Sequence, residues 1–254
     1  MKIFVTGATG NQGGAVVSSL IKHGVQVKAL VRKTDTAKAQ SLQKQNVELV
    51  KGDLNDTNSF KDHLNGMDGL FSVQTFIKGI ATEIRQGIDL ANLAKEVGIN
   101  HFLYSSVAGA DLKTGIPHFE SKNKIEQHIK QIGIPYTFVR PTSFFENFLI
   151  PEVQSRIKKG KLSSPINKNT TQQLICAADI GEISASIFLN RERYLGKTIT
   201  IAGIEEGMRK MMTKKGETYS ASDYNGWFQG AGLKPAGVHP GVGMPASFLF
   251  ADKT

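Results

Sequence analysis

The sequence has 254 residues, of which 40% are hydrophobic and 21% charged, so it describes a globular chain long enough to bury a full core and not a fibrous or disordered one. Its formal net charge is +9, but the basic residues are spread along the chain without a recognition-helix or stacking motif, so we expect a solvated basic face suited to a polyanionic ligand and no nucleic-acid partner. No apolar run reaches the ~18 residues of a membrane span, and no signal-peptide pattern precedes the first strand, so we expect a cytoplasmic protein. Cys176 is the single cysteine, so we expect no disulfide and no metal site.

The first predicted elements are a strand, a glycine-rich turn and a helix. An apolar run at residues 3–5 breaks into Gly7, Gly10 and Gly13, in G-x-x-G-x-x-G spacing, before apolar residues resume at helical intervals. The first glycine allows a tight turn, the second lets the backbone approach a pyrophosphate, and the third lets the helix pack on its strand. A helix that begins near Gln12 directs its unpaired N–H groups at the phosphates. The pattern predicts a dinucleotide site, with a purely structural turn as the alternative.

The second predicted strand, residues 25–31, ends at two basic side chains, Arg32 and Lys33. In NAD sites an acidic side chain here binds the ribose hydroxyls, whereas an arginine accommodates the 2′-phosphate of NADP. Positions 30–34 carry no Asp or Glu. Because a guanidinium beside an ammonium matches a phosphate dianion in charge and geometry, these residues predict NADP(H). Two basic residues on an exposed loop are the alternative.

The third predicted strand, residues 47–54, carries Asp53 at the sheet edge where cofactors lie. Its carboxylate could accept a hydrogen bond from the adenine amino group. It could equally mark the start of a helix over residues 57–64, and the sequence leaves both alternatives open.

Strands and helices alternate along most of the chain, with short glycine-marked connections. This order predicts an α/β fold with a doubly wound parallel sheet, the Rossmann type, and a small C-terminal lobe that includes residues 143–175. Further strands are expected at residues 70–73, 101–106, 134–140 and 197–202, and a long helix at residues 81–97.

Several motifs together resemble the NmrA-like branch of the atypical short-chain dehydrogenases/reductases, over residues 1–203. They are VTGATGNQGG (5–14), VRK (31–33), GDL (52–54), PHFESK (117–122), RPTSFFENF (140–148) and ADIG (178–181). The resemblance implies an NADP(H) site with the following contacts: Thr9, Gly10, Asn11 and Gln12 at the phosphates, Arg32 at the 2′-phosphate, Asp53 and Leu54 beside adenine, Gln74, Thr75 and Phe76 along the nicotinamide side, and Lys122 on the nicotinamide ribose.

Reductases of the wider superfamily use a tyrosine and a lysine in Y-x-x-x-K, where the ammonium lowers the pKa of the phenol. This chain has His118 and Lys122 at the same spacing, so the two share a helix face but the phenol is absent. His118 is a candidate proton donor, since imidazole suits acid–base work near neutral pH, or an idle residue at a helix start. Lys122 could bind ribose without doing chemistry. Ser105 or Ser106 could polarise a substrate carbonyl, or its hydroxyl could only form a hydrogen bond at the end of the strand.

An aromatic segment follows the sixth predicted strand. The resemblance implies that Phe144, Phe145 and Asn147 form part of the wall over the nicotinamide. An apolar helix start that fastens the small lobe to the core is the alternative.

Two functions follow from a complete cofactor site beside an incomplete catalytic pair. Relatives in which a histidine likewise replaces this tyrosine look like NADP(H)-binding regulators, which sense the ratio of oxidised to reduced cofactor and control a protein partner. Others in the group look like NADPH-dependent reductases of quinones, carbonyls or aromatic molecules. We expect the regulator, with the reductase as the alternative.

The resemblance stops near residue 203. Residues 204–254 resemble the closing helix and strand pair of small-molecule methyltransferases, without the glycine-rich loop that holds S-adenosylmethionine. We expect an atypical tail, helical at residues 222–230 and extended at residues 247–251, that packs more weakly than the preceding domain.

The basic pair after the second strand generates a selectivity prediction. Arg32→Ala should weaken NADPH binding far more than NADH binding, by about 1.5–3 kcal/mol, because it removes a charge-assisted hydrogen bond. Titration calorimetry at low salt measures both affinities. Equal binding of the two cofactors by the unmutated protein would contradict the assignment.

Overall fold

The computed structural model describes residues 1–158 and 171–207, which divide into two compact units. The first unit comprises Met1–Thr142 and Ile180–Ile201. The second comprises Ser143–Asp179 and the residues from Ala202 onward. The helix predicted at residues 222–230 and the strand predicted at residues 247–251 lie outside the described residues.

A seven-stranded parallel sheet forms the centre of the first unit, in the order β3-β2-β1-β4-β5-β6-β9. The order in which strands are added reverses between β1 and β4. Doubly wound sheets bind ligands at this point, outside the carboxyl ends of the strands. The predicted α/β Rossmann class is confirmed. The strands are β1 Lys2–Val5, β2 Gln26–Val31, β3 Glu48–Lys51, β4 Gly69–Ser72, β5 Phe102–Ser105, β6 Tyr136–Pro141 and β9 Thr198–Ile201.

The longer helices of the first unit bury their apolar stripes, whereas α7 (Arg191–Tyr194) has no buried residue. One large core joins side chains of α3 and α4 to β1, β4, β5 and β6. No helix in the described ranges is long and apolar enough to cross a membrane. The helices are α1 Asn11–Lys22, α2 Ala37–Gln43, α3 Ile80–Glu96, α4 Pro117–Ile132, α6 Ala177–Leu189, which begins in the second unit, and α7 Arg191–Tyr194.

The helix predicted over residues 57–64 is instead two short 3₁₀ turns, Thr57–Ser59 and Lys61–Leu64. The chain leaves helical geometry at Phe60, which is fully buried and stacks on Phe4 at 5.8 Å between ring centroids. Burial of this aromatic side chain outweighs continuation of a regular helix.

The second unit contains a three-stranded sheet in the order β10-β8-β7, with β7 at Ser143–Phe144, β8 at Thr171–Ile175 and β10 at Ile204–Gly207. Between β7 and β8 come a 3₁₀ turn, Phe145–Leu149, and α5, Pro151–Lys158. Residues 204–207 therefore pair, antiparallel, with a strand of this unit.

His101, just before β5, is a buried imidazole in the first unit. It is 1% exposed, its Nε2 lies 2.8 Å from Thr137 Oγ1, and its ring packs edge-on against Phe188. Burial, together with the charge of Arg191, lowers the pKa of His101 to about 4. The folded protein therefore keeps this imidazole neutral at pH values where the unfolded chain protonates it.

This shift predicts an acid-sensitive fold. In the unfolded chain the pKa of His101 is about 6.5, so below that pH the unfolded state binds a proton that the folded state does not. The contribution of His101 to the free energy of unfolding is therefore fully present above about pH 6.5 and is lost as the pH falls toward 4. Between about pH 7 and pH 5 the loss should be about 2 kcal/mol in urea unfolding, and His101→Gln should lack that component. His63→Gln, at an exposed histidine, should keep it. Identical pH profiles for the wild type and His101→Gln would contradict the assignment.

Candidate functional site

The loop between β1 and α1 has the geometry of a phosphate cradle. Gly7 adopts a φ of +63°, and a Cβ there would meet a Val73 methyl group at 2.7 Å. At Gly13 a Cβ would lie 2.3 Å from the carbonyl oxygen of Gly7, so only glycine lets α1 approach the loop this closely. Gly10 N donates to Gly7 O at 2.9 Å and closes the turn.

The first turn of α1 is open to an anion. Its N-cap is Gly10, no side chain caps it, and no acidic residue lies in the first turn. Asn11 is exposed, while Thr9 and Gln12 are half-buried. Free N–H groups at a helix start together with a glycine cradle fit a pyrophosphate. The helix begins one residue before the predicted Gln12.

Three basic side chains follow β2 along the chain, and one of them contacts the cradle. Arg32 and Lys33 are exposed directly after β2, as the sequence predicted. Lys38, near the start of α2, donates from Nζ to Thr9 O at 3.2 Å. The sequence interpretation missed Lys38. Its position in the first turn of a helix capped by Thr36 was the available signal.

Asp53 is half-buried in a tight turn after β3. Its Oδ1 accepts hydrogen bonds from Asn55 N at 2.9 Å and from Asn55 Nδ2 at 2.8 Å. The carboxylate thus stabilises its own turn and does not cap the following 3₁₀ segment, so the helix-start alternative is wrong. Leu54 is half-buried against the main core. Contact of Asp53 and Leu54 with adenine stays a prediction.

Lys122 lies in a buried cluster at the carboxyl ends of β4 and β5. Its side chain is 4% exposed, and its Nζ lies 3.1 Å from Oε1 of Glu83, which is completely buried. Nζ also donates to Gln74 O at 3.2 Å and to Ser105 O at 3.4 Å, and lies 5.4 Å from the centre of the Tyr104 ring. The ammonium therefore has one ion-pair partner and two carbonyl acceptors in the protein, so a ribose hydroxyl would compete with the two carbonyl contacts.

The electrostatics of this pair follow from burial and proximity. Burial alone would raise the pKa of the Glu83 carboxyl, but the nearby His118 imidazole, the charge of Lys122 and a hydrogen bond from Ser121 hold that pKa below its usual value. Burial lowers the pKa of Lys122, opposed by the charge of Glu83. The depressed pKa of Glu83 keeps its carboxylate ionised at neutral pH.

His118 sits at the edge of the same cluster. The imidazole is half-buried, its Nδ1 lies 3.6 Å from Glu83 Oε2, and its ring centroid lies 4.3 Å from that of Phe76. The structure thus brings His118 and Phe76 together with Lys122 and Gln74. Thr75 is exposed and caps the short turn Phe76–Lys78. Both proton donation by His118 and its alternative, a catalytically idle residue at the helix start, stay predictions.

Polar groups at the ends of β4 and β5 link this cluster to the glycine loop. Ser105 Oγ donates to Gln12 Oε1 at 2.5 Å. Gln74 Oε1 and Ser106 Oγ are buried and have no hydrogen-bond partner among the described residues. Unsatisfied polar atoms at this edge fit a bound polar ligand.

A second buried ion pair anchors α4 one turn further along. Arg140 donates from Nε and Nη2 to the two carboxylate oxygens of Glu126, at 2.9 and 2.6 Å, and its Nη1 lies 2.7 Å from Asp111 Oδ2. The hydrogen bonds with Glu126 raise the pKa of Arg140 further, so the guanidinium stays charged. Lys122 and Glu126 thus tie one face of α4 to α3 and to β6.

The predicted pocket wall belongs to the second unit. Phe144 and Phe145 are half-buried, and Asn147 is exposed with its Nδ2 3.5 Å from Ser143 Oγ. Within this unit Glu146 Oε1 accepts a hydrogen bond from Ala177 N at 2.8 Å, at the start of α6. A role of Phe144, Phe145 and Asn147 against the nicotinamide stays a prediction.

Glu83 is the main residue of the site that the sequence interpretation missed. It occupies the buried stripe of α3 together with Gly87, Leu90 and Ala94. A carboxylate on an otherwise apolar stripe was the signal that could have found it. No cluster of three potential metal ligands occurs within the described ranges.

The NmrA-like family matches residues 1–213, which extends beyond the predicted boundary at residue 203. An NmrA-like family domain-containing oxidoreductase, FrzB, from Cladobotryum sp is 31% identical over 225 residues, covering 78% of this chain and 67% of the relative. An NAD(P)H azoreductase from Xenophilus azovorans is 31% identical over 184 residues, covering 72% of this chain and 61% of the relative. The chain thus spans about two thirds of the length of these relatives.

Among solved structures, NmrA, a negative transcriptional regulator in complex with NADP, has a TM-score of 0.70 and 25% identity. The similarity covers 82% of this chain and 68% of that one. A second structure of the same regulator contains NAD.

The buried pair on α4 generates a stability prediction. Glu126→Ala leaves the Arg140 guanidinium buried beside only the exposed Asp111, so it should lower the free energy of unfolding by about 3–5 kcal/mol. Glu48→Ala breaks the pair between exposed Glu48 and half-buried Lys28 and should cost at most about 1 kcal/mol. Urea unfolding of both variants is the measurement. Equal losses would show that burial does not set the value of the Glu126 pair.

Proposed function

The chain belongs to the NmrA-like family, and on that premise we propose that it is an NADP(H)-binding sensor that reports the redox state of the cofactor to a protein partner. The observation that carries the proposal is the glycine cradle at an uncapped helix start, followed by basic side chains after β2. Arg32, Lys33 and Lys38 supply the positive charge that a 2′-phosphate requires.

The nicotinamide side favours sensing over catalysis. The charge of Lys122 is balanced by the carboxylate of Glu83. Position 118 is a histidine, so there is no phenol there whose pKa the ammonium could lower. Tyr104 lies against Lys122, but burial, with the charges of Glu83 and Glu126, raises the pKa of this phenol. Tyr104 is therefore a poor replacement for the missing proton donor. NmrA, a structurally similar protein, is a negative transcriptional regulator whose structures contain NADP or NAD.

A reductase is the second candidate. The observation that favours it is the 3.6 Å approach of Glu83 Oε2 to His118 Nδ1, because a carboxylate that orients an imidazole is a common acid–base arrangement. When bound, NADPH supplies a hydride. The name of one relative, NAD(P)H azoreductase, supports small aromatic acceptors, with quinones and carbonyls as further candidates.

Binding and turnover measured on the same protein separate the two functions. We expect micromolar NADPH affinity by calorimetry and no NADPH oxidation above the buffer rate with a panel of quinones, aldehydes and azo dyes. Lys122→Ala should weaken binding because it removes the buried ammonium. Lys124→Ala, an exposed lysine on the same helix, is the matched control and should bind like the wild type.

Two outcomes would overturn these proposals. Clear turnover that disappears in Lys122→Ala but persists in Lys124→Ala would replace the sensor with the reductase. Absence of NADPH and NADP⁺ binding in the folded wild type would remove both.

A further inference from the structure

We propose that Glu83 is a positioning residue that sets the relative affinity of the site for NADP⁺ and NADPH, because its carboxylate is the counterion of the buried Lys122 ammonium. The inference rests on the proposed binding of NADP(H). It deepens that function by naming the residue through which the site distinguishes the two redox states.

The argument begins with the charge difference between the two forms of the cofactor. The nicotinamide ring carries a positive charge in NADP⁺ and none in NADPH, while the rest of the molecule is the same. A fixed charge near the ring therefore changes the ratio of the two affinities, whereas packing and hydrogen bonds at the phosphates affect both forms alike. Two unit charges about 8 Å apart alter a binding constant more than tenfold at an effective dielectric constant of about 20.

The cluster contains the charges that could act on this ring. Lys122 and Glu83 face each other at 3.1 Å, and both are almost completely buried, so solvent screens them weakly. Together they are neutral. His118 faces Glu83 from the first turn of α4, at 3.6 Å.

The groups around the pair cannot replace Glu83. Gln74 and Ser105 offer Lys122 only carbonyl oxygens, and Tyr104 offers its ring face. Glu126 lies one turn along α4, but both of its oxygens already accept hydrogen bonds from Arg140. Loss of the Glu83 charge therefore leaves an uncompensated cation beside Gln74, where the cofactor's nicotinamide end is proposed to bind.

The test is the ratio of the dissociation constants for NADP⁺ and NADPH, measured by calorimetry at about pH 6.5, which favours the protonated ammonium. Glu83→Gln should raise this ratio at least about tenfold, because the unpaired Lys122 repels NADP⁺. Glu96→Gln, at an exposed glutamate on the same helix that pairs with Lys61, is the matched control and should leave the ratio unchanged. A purely structural effect of Glu83→Gln would weaken both forms equally.

Two further variants test the sign of the effect and the role of the pair as a whole. Lys122→Met leaves Glu83 as an unpaired anion and should shift the ratio in the opposite direction. The double variant Glu83→Gln/Lys122→Met has no charge at either position and should return to within about threefold of the wild-type ratio.

The outcomes distinguish this inference from the proposed function. Wild-type binding with an unchanged ratio in Glu83→Gln, or a shifted ratio in the double variant, overturns the role of Glu83 and leaves NADP(H) binding intact. A folded wild type that binds neither form overturns both proposals.

Discussion

The ion pair between Glu83 and Lys122 is the interaction on which the arrangement of the site depends. An ammonium almost fully removed from water must have a counterion, because the cost of burying an isolated charge exceeds that of almost any rearrangement of packing. The helices α3 and α4 can supply both partners because they pack closely at Gly87, where a Cβ would lie 2.6 Å from an Ile125 methyl group. Close packing of the two helices therefore brings the two buried charges within ion-pair distance.

The two ends of the candidate site use different chemistry. At the start of α1 the recognition groups are backbone N–H groups, whose position is set by glycine conformation and not by side chains. At the ends of β4 and β5 they are buried side chains, including Gln74, Ser105 and Lys122. The parallel sheet brings these sets to one edge, and the hydrogen bond from Ser105 to Gln12 joins them directly.

This division bears on how the protein works. In the proposed NADP(H) site, the backbone cradle would hold the phosphates in the same way whatever the redox state of the nicotinamide, so it would contribute affinity without discrimination. In the same proposal, the buried charge cluster discriminates between NADP⁺ and NADPH, since its effect depends on the charge of the nicotinamide ring. The same cluster also contacts His118, and this contact is why a reductase remains the second candidate beside the sensor.

The sequence by itself determined the α/β class, because strand and helix patterns alternate along the chain. It also determined the glycine cradle and the basic pair after β2, because each is encoded within about ten neighbouring residues by spacing and charge. It also indicated Lys122, through the i, i+4 relation to His118. Only the tertiary structure decided what these side chains contact. Glu83 lies on α3 and Lys122 on α4, with β5 and a loop between the two helices, so the Glu83 carboxylate becomes a counterion only once α3 packs on α4. Likewise, residues 57–64 carry a helical pattern, yet burial of Phe60 against Phe4 divides them into two short turns, since local propensity is weaker than the burial of an aromatic ring.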